Sequence, residues 1–211
     1  MIRSWMKVAS LVVAVALIAP ALAGQARLTP AELAAAKSIG SRQAPITVEI
    51  FSDYQCPDCK RMHLATTRQV IDNYVSSGKV YLIHRDFPLS MHTYSRQAAR
   101  WVNAAAVAGL FQATENALYA KQDEWGATGN IEQALASLLP AADMRKIRVV
   151  ESSQRAQLDA AVQTDVNFGN SRNVSGTPSI FVTHRGQTTP LPAGSVSYTL
   201  LKQYLDYLLQ R

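Results

Sequence analysis

Cysteine is nearly absent from these 211 residues: there are two, both inside Tyr54-Gln55-Cys56-Pro57-Asp58-Cys59-Lys60. Two thiols cannot build the multi-bridge framework that staples small secreted domains. With 48% hydrophobic residues the chain can form an ordinary core without such staples. Charged residues are also sparse, at 17%, and that composition is too apolar for a disordered chain. The formal charge of +6 comes from scattered Lys and Arg. No basic run with interleaved aromatics is present, which speaks against nucleic-acid binding and for a mildly basic soluble surface. Histidine is scarce too: His63, His84, His92 and His184 lack the paired spacing of a zinc finger, and His63, four residues after Cys59, reads as an exposed helix histidine. A structural zinc needs four ligands, so no metal is expected.

Long apolar runs are missing except at the start. Val8 to Ala19 follows the basic residues Arg3 and Lys7, Pro20 breaks the run, and Ala21-Leu22-Ala23 offers small residues for a signal peptidase. Residues 1–23 therefore read as a signal peptide cleaved before Gly24, with an uncleaved anchor as the competing reading. No cysteine follows Ala23 directly, so a lipoprotein anchor is excluded. Either way an extracytoplasmic destination is expected, in a compartment where disulfides persist.

Residues 24–44 form an N-terminal helix and lead-in. Thr29-Pro30-Ala31-Glu32 has a capping residue, a first-turn proline and a capping-box acid, and the helix should end near Ser38. "ITVEIFSD" alternates with β-branched residues and predicts a strand. Pro57 suits the first turn of a helix running to about Ser77, stopped by Gly78. "KVYLIHRDF" predicts a second strand, apolar enough to be buried on both faces. Residues 90–173 show helical spacing and no strand-like alternation, with Trp101, Phe111 and Trp125 as core candidates. "TPSIFVTH" and "QTTPL" predict two more strands. The last helix carries Leu200, Tyr204 and Leu208 on one stripe.

Three readings compete for the cysteine pair. A structural bridge across two residues closes so short a loop that it adds little stability. A metal site is short of ligands. A redox pair fits the placement: a strand-to-helix junction puts Cys56 at a helix N-terminus, where unpaired N–H groups and the dipole stabilise a thiolate. Cys59, almost one turn further, is close enough to bridge Cys56 and should be the more buried sulfur. Exchange chemistry uses that asymmetry, with Cys56 attacking or attacked from outside and Cys59 resolving.

A second motif, Gly176-Thr177-Pro178 leading into a strand, joins the first. With both, the chain resembles the DsbA-like thiol-disulfide oxidoreductases of the thioredoxin-fold superfamily. "APITVEIFSDYQCPDCKRMH", "HRDFPL" followed by His92, "AKQDEW" and "GNSRNVSGTPSIFV" carry the resemblance in order. It implies an α/β thioredoxin core at 45–89 and 174–211, a mixed sheet flanked by helices, with residues 90–173 as an inserted helical subdomain. It also implies that Cys56 and Cys59 are catalytic, joined in a redox-active disulfide that serves in place of any cofactor. Pro178 matches the cis-proline beside that disulfide. Thr177 matches the residue whose backbone pairs with an extended substrate segment. Glu49 stands where relatives carry a strand acid beneath the cysteines, either a buried proton relay for Cys59 or an exposed strand-end carboxylate.

The chain departs from the pattern at Asp58, where strongly oxidising members have histidine. A carboxylate there should raise the Cys56 pKa and make a milder oxidant, with Lys60 and Arg61 available to offset it. The resemblance implies oxidation of unfolded or reduced secreted proteins, by a monomer. Recharging would fall to a quinone-linked membrane oxidase of the DsbB or vitamin K epoxide reductase type. Reductase or isomerase activity, and a chaperone or binding module without redox turnover, are the alternatives.

Overall fold

A computed structural model describes residues 29–211; the signal-peptide reading of 1–23 lies outside them. Helix α1 (Pro30–Ala36) starts as its sequence dictates. Thr29 caps it, its hydroxyl accepting from the Glu32 N–H while the Glu32 carboxylate accepts from the Thr29 N–H at 2.7 Å. β1 (Ser38–Ile39), β2 (Ile46–Ser52) and β3 (Val80–Asp86) follow, with α2 (Pro57–Met62) and α3 (Arg68–Val70) between the last two. α2 and α3 belong to one continuous helix over 57–75, which turns π-helical at His63–Thr67 and at Ile71–Val75. Gly78 stops it with φ +72°, a left-handed turn that glycine adopts without steric cost.

Six helices separate β3 from the next strand: α4 (Ser95–Val107), α5 (Phe111–Ala120), α6 (Gln122–Thr128), α7 (Ile131–Ala136), α8 (Ala141–Ser153) and α9 (Arg155–Ser171). β4 (Ser179–His184), β5 (Gln187–Pro190) and α10 (Tyr198–Leu209) complete the chain. The sheet order is β1-β3-β2-β4-β5, with β2 and β3 parallel and the other neighbours antiparallel. This mixed sheet flanked by helices is the expected thioredoxin fold. Among the described residues no helix is long and apolar enough to cross a membrane.

Central strand β2 has two different faces. Ile46, Val48 and Ile50 pack with Met62, Val70 and Tyr74 from the 57–75 helix and with Leu201 and Leu205 of α10. On the other face Phe51 packs with Phe87 and Phe181. Helix α9 comes close there because Gly169 has no side chain: a Cβ at that position would lie 2.7 Å from the Phe87 ring. A third body of core, with Trp101, Phe111, Leu118 and Trp125, fills the helical segment and reaches Cys56 and Cys59.

Three expectations change. β3 is not buried on both faces: Val80, Leu82, His84 and Asp86 are buried, whereas Tyr81, Ile83 and Arg85 are only half-buried, because α1 and α9 cover that side incompletely. The α10 stripe is rotated by one residue. Leu201 and Leu205 turn inward, and Leu200 is 54% exposed. His63, taken from sequence as an exposed helix histidine, is buried within the first π turn.

Candidate active site

Cys56 is the residue that caps α2, with extended backbone at φ −73° and ψ 124°, and Pro57 occupies the first helical position. Proline has no N–H to leave unpaired there and its ring presets φ. The turn that delivers Cys56 is held from many sides. The buried Asp53 carboxylate accepts from the Gln55 N–H at 2.7 Å, the Leu89 N–H at 2.8 Å, His92 Nδ1 at 2.8 Å and the Ser95 hydroxyl. Gln122 of α6 donates through Nε2 to the carbonyls of Tyr54 and Cys56, at 2.7 and 3.0 Å. Gln55 accepts from the Tyr94 N–H and donates to the Gly126 carbonyl. The helical segment thus clamps the dithiol turn.

Both thiols are free, and they differ in setting. Cys56 is 7% exposed and Cys59 2%, so the outer sulfur is far less open than its sequence position suggests. The Cys59 thiol and backbone N–H point hydrogen bonds at Cys56 Sγ, and these outweigh burial and the Asp53 charge, lowering the Cys56 thiol to about 6. Its sulfur also lies 3.5 Å from the Thr177 carbonyl oxygen. Burial, then the neighbouring Cys56, pushes the Cys59 thiol well above the usual range. The Asp53 N–H donates to Cys59 Sγ at 3.4 Å. One sulfur is therefore an anion near neutral pH while the other keeps its proton.

The Thr177–Pro178 peptide bond is cis. It places Pro178 beside Cys59, on the wall of the same small cavity. Thr177 Oγ1 is buried without a hydrogen-bond partner.

Glu49 lies elsewhere. Its strand neighbours Val48 and Ile50 face the 57–75 helix, so Glu49 points through the opposite face of the sheet. Arg85 donates to its Oε1 at 2.8 Å and Arg172 to its Oε2 at 2.8 Å. It is buried, but it is neither beneath the cysteines nor exposed, and it is no proton relay for Cys59. Strand alternation decides this: cysteine-facing positions on β2 are even-numbered. Asp58 is half exposed and ion-paired with Arg61, while Lys60 pairs with Asp123 at 2.8 Å. The opposing carboxylate charge felt by Cys56 comes from Asp53.

The acid on the cysteine side is Glu115 of α5, which the sequence reading missed. Glu115 sits on the inward stripe of α5 with Phe111, Leu118 and Tyr119, an ionisable residue at an apolar position, and that was the available signal. His84 Nδ1 approaches Glu115 Oε1 at 3.0 Å, and His84 Nε2 faces Asp86 Oδ1 at 3.4 Å. Burial opposes the His84 charge, but Asp86 and Glu115 outweigh it and raise this imidazole to about 9. Glu115 is held below the usual carboxylate range, against its burial, by His63 and His84. The ion pairs continue from Asp86 to Lys37 and from Lys37 to Asp165 at 2.6 Å. Arg85 then bridges Asp165 and Glu49. Alternating charges thus run through the sheet edge from the cysteine side to Glu49. Among the described residues, no three His, Cys, Asp or Glu side chains are arranged to hold a metal ion.

A strand, a thiol-capped helix and a cis-proline in contact define a thioredoxin-fold dithiol protein. Residues 34–203 match the family model described as Thioredoxin, and the chain belongs to that family. It is similar to the Na(+)/H(+) antiporter NhaA 3 of Salinispora tropica, 30% identical over 172 residues, 81% of this chain but 25% of that protein. The chain thus spans about a quarter of that relative's length. It is 22% identical over 157 residues, 69% of each chain, to the probable disulfide bond formation protein D of Bacillus anthracis. The fold superposes on oxidised BdbD of Bacillus subtilis with a TM-score of 0.66, at 20% identity, covering 83% of this chain and 93% of that one.

Proposed function

We propose that this chain is a DsbA-like thiol-disulfide oxidoreductase that forms disulfides in exported proteins. The observation that carries the reading is the contrast between the thiols: a lowered Cys56 beside a buried, raised Cys59. A stabilised thiolate stabilises the reduced protein, and that makes its disulfide the stronger oxidant.

In the reaction, a substrate thiolate attacks Cys56 Sγ of the Cys56–Cys59 disulfide. The bond to Cys59 breaks, a mixed disulfide forms, and a second substrate thiol displaces Cys56. Electrons pass from two substrate thiols to the cysteine pair. The Thr177 backbone beside Cys56 supplies main-chain groups for an extended segment, a mode that reads backbone more than side chain. The name of the bacillary relative, probable disulfide bond formation protein D, supports this direction.

The setting we propose is extracytoplasmic, reached by the 1–23 signal segment, with the chain acting as a monomer. Its partners are reduced secreted proteins and a quinone-linked membrane oxidase of the DsbB or vitamin K epoxide reductase type. The test pairs refolding of reduced ribonuclease with reduction of insulin. An oxidase accelerates the first more than the second, a reductase reverses that order, and a binding module does neither.

A further inference from the structure

Breaking the Cys56–Cys59 bond leaves electrons on Cys59, the more deeply buried sulfur. A desolvated thiolate is a poor leaving group, so the step needs a proton donor inside the protein. Cys59 is 2% exposed, so its sulfur is shielded from bulk water.

Directly beneath it lies a cavity of about 20 Å³, walled by Cys59, Pro178, Ser52, His63, His84 and Glu115 among others. That volume accommodates one water molecule, and the wall offers it several polar partners. Glu115 presents one oxygen to His84 at 3.0 Å, while its other oxygen lies 3.9 Å from His63 Nδ1, beyond hydrogen-bond reach. That second oxygen is left for the cavity.

We propose that the Glu115–His84 pair is the proton donor to Cys59 when the disulfide is opened, acting through one water in this cavity. The proposal rests on the exchange reaction above. The attacking thiolate bonds to Cys56 Sγ and the electron pair of the broken S–S bond goes to Cys59 Sγ. That sulfur takes a proton from the cavity water, which takes one from Glu115. At rest the pair is Glu115 carboxylate with His84 imidazolium, and as Glu115 gives a proton to the water it takes one from His84. The products are Cys59 thiol, Glu115 carboxylate and neutral His84, and solvent later returns the proton to His84. The attacking thiol is oxidised as the protein disulfide is reduced, so no further reactant is needed.

The groups around His84 suit it to hold that proton. Glu115 faces it from α5, Asp86 from its own strand, and Tyr54 stacks on the ring with centroids 5.0 Å apart. Phe111 covers an edge, Lys37 acts on it through Asp86, and His63 through Glu115. With His84 raised to about 9, the donor is loaded at neutral pH. Burial holds the Cys59 thiol well above its usual range, so the pair is the stronger acid and transfer runs toward the sulfur.

The test is reduction of the oxidised chain by dithiothreitol, acid-quenched and counted by mass, with each rate divided by the dithiothreitol thiolate concentration. The rate per thiolate is expected to be flat from about pH 6 to 8 and to fall above about 9, as His84 empties. Glu115→Gln should lower the plateau by at least roughly tenfold and abolish the fall, and Glu115→Asp should recover part of it. Glu151→Gln, which removes a buried carboxylate held by Arg100 and Arg155, controls for lost stability and should keep the wild-type profile. A Glu115→Gln rate within about twofold of wild type throughout overturns the proposal.

If Glu115→Gln fails to fold, the wild-type chain decides. A rate per thiolate that stays level to pH 10 overturns the relay, and so does the absence of a solvent deuterium effect. Dithiothreitol opens a protein disulfide whether or not the chain oxidises proteins. Failure of the relay is therefore read separately from failure in the ribonuclease assay.

Discussion

The two faces of the sheet each bury a carboxylate, and they use it differently. On one side Glu49 is saturated by Arg85 and Arg172, both partly exposed guanidiniums. On the other, Glu115 meets histidines across a cavity that also touches Cys59. The first arrangement fixes a charge and the second can move a proton. The residue type is the same, and the partner's pKa and the adjacent free volume set the role. A sheet face also decides which carboxylate can see the sulfur at all.

The largest effect expected belongs to the cysteine side: Cys56→Ser should abolish exchange, and Cys59→Ala should accumulate mixed disulfides with reduced proteins, seen on non-reducing gels. Next comes Glu49→Gln, which leaves Arg172 without its carboxylate and Arg85 with Asp165 alone. It should cost about 2–4 kcal/mol in urea unfolding, discounted for their partial hydration, while leaving the pH profile of Cys56 alkylation in place. A Cys56 profile that moved with Glu49 would break the comparison.

The thiol itself makes stability depend on pH in the reduced form only. The folded Cys56 thiol is lowered to about 6 from an unfolded value near 8.5, so the stabilisation is full above about pH 8.5 and is lost as pH falls through 6. Reduced minus oxidised stability should therefore fall by on the order of 2–4 kcal/mol between pH 9 and 5. Gly169→Ala tests the packing of the Glu49 side. A methyl group there meets the Phe87 ring and should cost about 1–3 kcal/mol without changing thiol reactivity. The smallest effect is Asp58→His. Because Asp58 is half exposed and paired with Arg61, the redox potential should rise by only about 10–30 mV against glutathione.

Much of this was legible in the sequence. The capping box at Thr29, the alternation of β2, Pro57 after Cys56 and the Gly78 stop are local signals, and the structure follows them. Trp101, Phe111 and Trp125 are core, as helical spacing indicated. The misplaced residues share a cause. Glu49 was assigned by position in a motif, and its face depends on how β2 registers with its neighbours. His63 turns inward within a π turn that its sequence does not announce. Glu115 and Gln122 reach the dithiol turn only because six helices fold back over it, so their contacts lie 31 or more residues away in sequence.

Sequence by itself determined the chemistry: two thiols one helical turn apart at a strand-to-helix junction, with a proline motif far downstream. Those signals survive in one dimension because capping, turn geometry and helix polarity act within a few residues. Only the tertiary structure decided which buried acid faces the inner sulfur. Burial and charge act through space, and strands 46–52 and 80–86 and helix 111–120 become neighbours only once the chain has folded.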